Sequence, residues 1–134
     1  MPQIGTLSGN PIAAAAGLKT LEILKRPGAY EKIFMTGQTL MDGFARIAAD
    51  AGVKARVAGA PPMFDLVFTD RDVVDYRSSL GNQDMMRRYS RLMRERGILK
   101  GESKLYVSLA HDARDIADTL TAFEATMQDI AADA

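Results

Sequence analysis

The pair Asn10-Pro11, followed at once by the alanine-rich run Ile12 to Leu24, constrains this chain more than any other feature. Asn is favoured just before a helix and Pro at its first position, so the pair marks a helix start. Ahead of it lies Gly5-Thr6-Leu7-Ser8-Gly9, a short loop rich in backbone N–H groups. A loop of this kind beside a helix N-terminus can hold an anion, and a phosphate suits it best. An ordinary capped turn has the same composition, so the loop alone leaves both readings open. Ile12, Ala15, Ala16, Leu18 and Leu24 lie on several faces of the helix, which predicts that much of it is buried. Pro27-Gly28 ends it.

A second helix is predicted over residues 29–51. Tyr30, Phe34, Gly37, Met41, Phe44 and Ala48 form its stripe, with Ile33, Leu40 and Ile47 beside it. Gly52 stands where a C-terminal cap belongs. Val53, Ala55 and Val57 alternate with Lys54 and Arg56, as in a strand with one wet face. Gly59 to Pro62 breaks it, and Met63 to Thr69 reads as a second strand, paired through the proline turn. Asp65 inside that strand is either buried and paired or on an edge. Residues 70–82 read as a loop with room for a helical turn.

A third helix is predicted over residues 83–96, with Met85, Tyr89, Leu92, Met93 and Arg96 on one face and Gly97 as its stop. Ile98-Leu99 is short and extended, Lys100 to Lys104 a turn, and Leu105 to Leu109 a strand. Asp112 caps the last helix with Asp115 in its first turn, and Ile116, Leu120, Phe123, Met127 and Ile130 form its stripe. The methionines of these helices suit core filling. The fold class is α+β: a three- or four-stranded, mainly antiparallel sheet with helices on one face. Residues 1–27 form a loop and linking helix, and residues 28–134 a small domain.

Composition narrows the function. Lys+Arg and Asp+Glu are both 17, so no net field draws the chain to nucleic acid or membrane. There is no cysteine, hence no disulfide framework, which fits a cytoplasmic protein. No apolar run approaches the roughly 20 residues of a membrane span, and no signal-peptide layout is present. The single histidine, His111, cannot form a metal cluster and is expected to orient a strand-to-helix turn. Arg87, Arg88, Arg91, Arg94 and Arg96 spread around the third helix and read as a wet face with salt bridges to Glu95 and its neighbours.

Gly5-Thr6-Leu7-Ser8-Gly9-Asn10-Pro11 followed by Ala13-Ala14-Ala15-Ala16-Gly17-Leu18 resembles the class III pyridoxal-phosphate (PLP) aminotransferases, closest to the glutamate-1-semialdehyde 2,1-aminomutase group. Pro62-Met63-Phe64 with Phe68-Thr69-Asp70, and Ser108-Leu109-Ala110-His111 with Asp115-Ile116, are similar to that group's later segments and fall in the same order. The resemblance covers nearly all of this chain but only the last third of such an enzyme. It implies the small C-terminal domain of a fold type I PLP enzyme, preceded by an interdomain helix.

The resemblance also implies roles. Gly5 and Thr6 would bind the cofactor phosphate across a dimer interface, with Ser8 and Asn10 shaping the loop. A hydroxyl and a main-chain donor suit a phosphate dianion. No catalytic residue is carried over. The family's Schiff-base lysine lies upstream of the motif, before this chain begins, as do the acid for the pyridine nitrogen and the stacking aromatics. The six lysines outside that motif, Lys100 and Lys104 among them, read as solvated surface groups. The family's Pro-Ser-x-Phe-Glu segment is replaced by Leu99-Lys100-Gly101-Glu102-Ser103-Lys104, which makes an aminotransferase with another amino donor as good a match as the mutase. Glu102 stands in for the family's Glu on this substrate-side loop.

Two functions follow. One is the C-terminal part of a PLP-dependent aminotransferase or aminomutase, inactive alone and acting on an amino acid in the whole enzyme. The other is a non-catalytic dimerisation or partner-binding module. A homodimer is expected in either case, with Met1 to Ser8 frayed or paired with a second copy.

Overall fold

The computed structural model describes residue 5 and residues 9–101 and 104–132. Residues 1–4 and 6–8, on which the expected fraying of the N-terminus falls, lie outside the described residues, as do 102–103 and 133–134. The chain divides into two compact units, one ending at Lys32 and one beginning at Ile33.

In the first unit, helix α1 spans Pro11–Leu24. Asn10 caps it as the sequence predicts: its Oδ1 accepts from the N–H of Ile12 at 2.9 Å and of Ala13 at 3.1 Å. The expected burial of this helix is not found. None of its residues is buried, and Ile12, Leu18 and Leu21 are among the most exposed large apolar side chains. The physical reason lies in the pattern. A helix apolar on every side is covered only where other elements surround it, and among the described residues none buries any part of it.

The second unit takes most of helix α2 (Ala29–Asp50), strands β1 (Arg56–Ala60), β2 (Met63–Val67) and β3 (Leu105–Tyr106), a 3-10 turn at Ser78–Leu80, and helices α3 (Gln83–Glu95) and α4 (Ala113–Ala132). The sheet is three-stranded and antiparallel, with β2 central. Register runs from Arg56 opposite Val67 to Ala60 opposite Met63, so Pro61-Pro62 is a two-residue hairpin turn. The fold class is α+β, as the sequence predicts.

Where elements start later or end sooner than expected, a competing hydrogen bond explains it. The strand predicted from Val53 begins at Arg56, because the N–H of Val53 closes helix α2 on the carbonyl of Ala48 at 2.9 Å. Gly52 at φ +69° and its N–H to Ala49 complete this helix-ending motif. Helix α3 ends the same way, through Gly97 at φ +83° and Ile98 N–H to Met93. Strand β3 ends early because Ser108 gives its N–H to the side chain of His111 instead of the ladder. Gly59, placed by the sequence in a break, is inside β1 opposite Phe64 at φ +126°, where any other residue is strained.

The core of this unit is a chain of aromatic contacts through every layer. Phe64 on β2 meets Phe44 on α2 edge-on, at 5.8 Å. Phe44 stacks on Phe123 of α4 at 3.9 Å. Phe123 meets Tyr89 of α3, and Tyr89 meets Phe68, both edge-on. Leu40, Ile47, Ala48, Leu66, Leu92, Met93, Met127 and Ile130 fill the spaces. Each large apolar side chain buried this way contributes about 1.5–3 kcal/mol. The stripe of α2 is rotated from the predicted one. Ile33, Leu40, Phe44, Ile47 and Ala48 are buried, whereas Tyr30 and Phe34 are exposed. Gly37 sets this rotation, because a Cβ there would overlap the carbonyl of Pro61.

Candidate functional site

Of the residues that the sequence nominates, Gly5 is exposed, and Thr6 and Glu102 lie outside the described residues. The helix they precede refines the anion reading. Pro11 has no N–H. Those of Ile12 and Ala13 are taken by the Asn10 side chain, and that of Ala14 by the Asn10 carbonyl at 2.9 Å. The first turn of α1 therefore has no donor left for a phosphate, contrary to the expectation that the helix start contributes. Donors for an anion must come from the loop before Asn10, where Gly9 at φ +78° shapes the chain.

The lysines divide in a way the sequence did not predict. Lys100 is not a solvated surface group: it is 5% exposed. Its Nζ lies 3.2 Å from Asp65, donates to the carbonyl of Gly101 at 3.0 Å, and sits 5.4 Å from the centre of the Tyr89 ring. Asp65 is on the central strand, so it is the buried and paired alternative that holds. Burial pushes its carboxyl above the ordinary value, and the attraction of Lys100 offsets this only in part. The Tyr89 hydroxyl is buried with no hydrogen-bond partner among the described residues, and burial followed by the charge of Asp65 pushes its pKa well up. No local signal marks this lysine, because the acid that holds it lies 35 residues earlier in the chain.

His111 does what the sequence assigns to it. Its Nδ1 accepts from the N–H of Ser108 at 3.1 Å, fixing the turn between β3 and α4. Asp112 Oδ1 accepts from the N–H groups of Arg114 and Asp115, and Asp115 returns a bond to the N–H of Asp112 at 2.9 Å. This is the predicted cap in its reciprocal form. A cavity of about 160 Å³ opens beside this turn, lined by His111, Asp115, Thr119, Lys104 and Tyr106. Among the described residues no group of three or more side chains could hold a metal. No helix is long and apolar enough to cross a membrane.

Comparison with known proteins decides the family. The chain is 43% identical over 133 residues to a glutamate-1-semialdehyde 2,1-aminomutase of Desulfosudis oleivorans, covering 96% of this chain and 31% of that protein. It is 40% identical over 135 residues to the protein of that name from Heliobacterium modesticaldum, covering 98% of this chain and 31% of that one. The chain belongs to the class III aminotransferase family, whose C-terminal part it matches. It spans about a third of the length of these relatives. No family model matches it.

Solved structures agree on the fold. A β-phenylalanine aminotransferase of Variovorax paradoxus superposes with a TM-score of 0.83 at 19% identity, over 98% of this chain and 31% of that one. An omega-transaminase of Sphaerobacter thermophilus gives 0.78 at 23% identity, over 96% and 30%. The α+β architecture of this chain is thus that of the C-terminal part of transaminases.

Proposed function

We propose that this chain supplies the C-terminal part of a PLP-dependent aminotransferase of the glutamate-1-semialdehyde 2,1-aminomutase type. The whole enzyme moves an amino group between an amino acid and a keto or aldehyde acceptor, as a cytoplasmic dimer. The 43% identity to an aminomutase across almost the entire chain carries this reading.

The chain's own residues fit one share of the cofactor. The exposed Gly5 and its neighbour Thr6 would offer a main-chain donor and a hydroxyl to the phosphate, as the resemblance implies. The resemblance assigns Glu102 to the substrate side. PLP, when bound, supplies the electron sink that amino transfer needs. The amine that reacts with the cofactor aldehyde comes from elsewhere in the longer protein. Lys100, the lysine that burial singles out here, is tied to Asp65 and to the carbonyl of Gly101, so it is no substitute.

The test is a chimera in which this chain replaces the matching part of the Desulfosudis oleivorans protein. Amino transfer with PLP is expected. Thr6→Ala in the chimera is expected to weaken PLP binding by about tenfold or more, the loss of one charge-assisted contact. A folded chimera that neither binds PLP nor transfers amino groups would contradict the proposal and favour the non-catalytic module. The chain alone, treated with PLP and borohydride and mapped by peptide, is expected to carry scattered label on exposed lysines. Stoichiometric label on one lysine, with turnover, would overturn its assignment as an incomplete site.

A further inference from the structure

Helix α3 carries Arg87, Arg88, Arg91 and Arg94 within eight residues, in a chain whose charges balance overall at 17 of each sign. Their placement is one-sided. Tyr89, Leu92 and Met93 take the core face, and Arg87, Arg91 and Arg94 fall on the outer one, spaced by four and three residues. Like charges at these spacings face each other across a helix turn and repel. Compensation is incomplete. Arg87 pairs with Asp84 and Arg91 with Glu95, but both pairs are exposed and weak. Among the described residues no acid pairs with Arg94. Arg88 donates to the main-chain carbonyl of Asp129 at 2.9 Å, which fixes its position against α4.

These side chains line a groove of about 690 Å³ together with Gln83, Ser90 and Lys100. Among the described residues no acid lines it. Arg87 and Arg94 are about 10 Å apart along the helix axis, too far for one phosphate to bridge and suited to several linked ones. Guanidinium groups bind phosphate oxygens in pairs of parallel hydrogen bonds, which makes arginine the preferred residue for such a ligand. We propose that the α3 groove is a binding site for an oligophosphate anion, held by Arg87, Arg91 and Arg94. Binding would relieve the repulsion along the helix.

The experiment is an NMR titration of the full chain with tripolyphosphate, against inorganic phosphate and against potassium chloride at equal ionic strength. Shifts confined to residues 83–96 and Lys100 are expected with tripolyphosphate, weaker ones with phosphate, and none with chloride. Arg94→Gln and Arg91→Gln are each expected to weaken binding by about tenfold, with unchanged far-UV circular dichroism. Arg46→Gln, which removes an exposed arginine of α2 paired with Asp50, is expected to change nothing. Adenosine triphosphate should bind like tripolyphosphate and compete with it, because the phosphate chain is what the groove reads. Shifts spread over all exposed lysines and arginines, equal shifts with chloride, or binding untouched by Arg94→Gln would each overturn the proposal. So would adenosine triphosphate that binds but is not displaced by tripolyphosphate.

Discussion

Helices α1 and α4 are both long, apolar and well capped, and they end up in opposite environments. Helix α1 has apolar residues at Ile12, Leu18, Leu21 and in its alanine run, yet none of its residues is buried. Helix α4 is more polar in sequence, but buries Ala122, Phe123, Thr126, Met127 and Ile130. The difference is periodicity. The apolar positions of α4 recur every three or four residues and form one stripe, which α2 and α3 meet through Phe44 and Tyr89. Those of α1 are spread around the helix and specify no single partner face. A helix apolar on all sides needs cover on all sides, as an interdomain helix would have, whereas a striped one needs a single face.

The largest expected effect lies on α4. Phe123→Ala removes a ring stacked on Phe44 at 3.9 Å and in contact with Tyr89. It should cost about 3–5 kcal/mol, enough to unfold a marginally stable domain. Urea melts measure this, and a loss below about 1 kcal/mol would show that the aromatic chain does not hold the layers together. The matching change on α1, Leu18→Ala, should stay within about 0.5 kcal/mol. A large loss there would erase the contrast between the two helices.

The body that α4 completes also contains a buried charge pair, which sharpens the contrast with an all-exposed helix. Lys100→Met leaves the Asp65 carboxylate without its cation and should cost about 3–5 kcal/mol near neutral pH. The raised pKa of Asp65 gives this a pH signature. Between the ordinary carboxylate value and the raised one, the folded state binds a proton that the unfolded chain does not. Stability from this group therefore rises as pH falls through that window. In melts over a pH series, wild type should gain on Asp65→Asn as pH is lowered into the window. A constant difference, or one that moves the other way, would mean that Lys100 outweighs burial.

Smaller effects should come from the caps. Asp112→Ala removes the acceptor for two N–H groups at the start of α4 and should lower global stability by about 1 kcal/mol. Asn10→Ala removes the equivalent acceptor on α1. It should loosen α1 locally and leave the global melt unchanged. Equal losses from the two substitutions would mean that α1 unfolds together with the rest.

The sequence carried much of this. The four helices were legible, because Asn10 and Asp112 cap α1 and α4, Gly52 and Gly97 stop α2 and α3, and the apolar stripes mark α2, α3 and α4; the Asn82 cap of α3 came only with the structure. The hairpin was legible from Pro61-Pro62. Three features were not. The strand limits depended on which N–H groups the helix ends and His111 claimed. The rotation of α2 depended on the close approach of Gly37 to Pro61, a tertiary contact with no local signal. The burial of Lys100 depended on Asp65, which lies 35 residues earlier in the chain. Of the candidate site, the sequence motif nominated the loop, but only the hydrogen bonds showed that the first turn of α1 has no donor left to offer.

The central claim is that the stripe, and not apolar content, decides what this chain buries. Native-state hydrogen exchange on the full chain tests it most directly. Amides of α1 are expected to exchange through local opening, with little protection, while those around Phe123 to Ile130 of α4 exchange only with global unfolding. Equal protection in the two helices, falling together as urea is added, would contradict it.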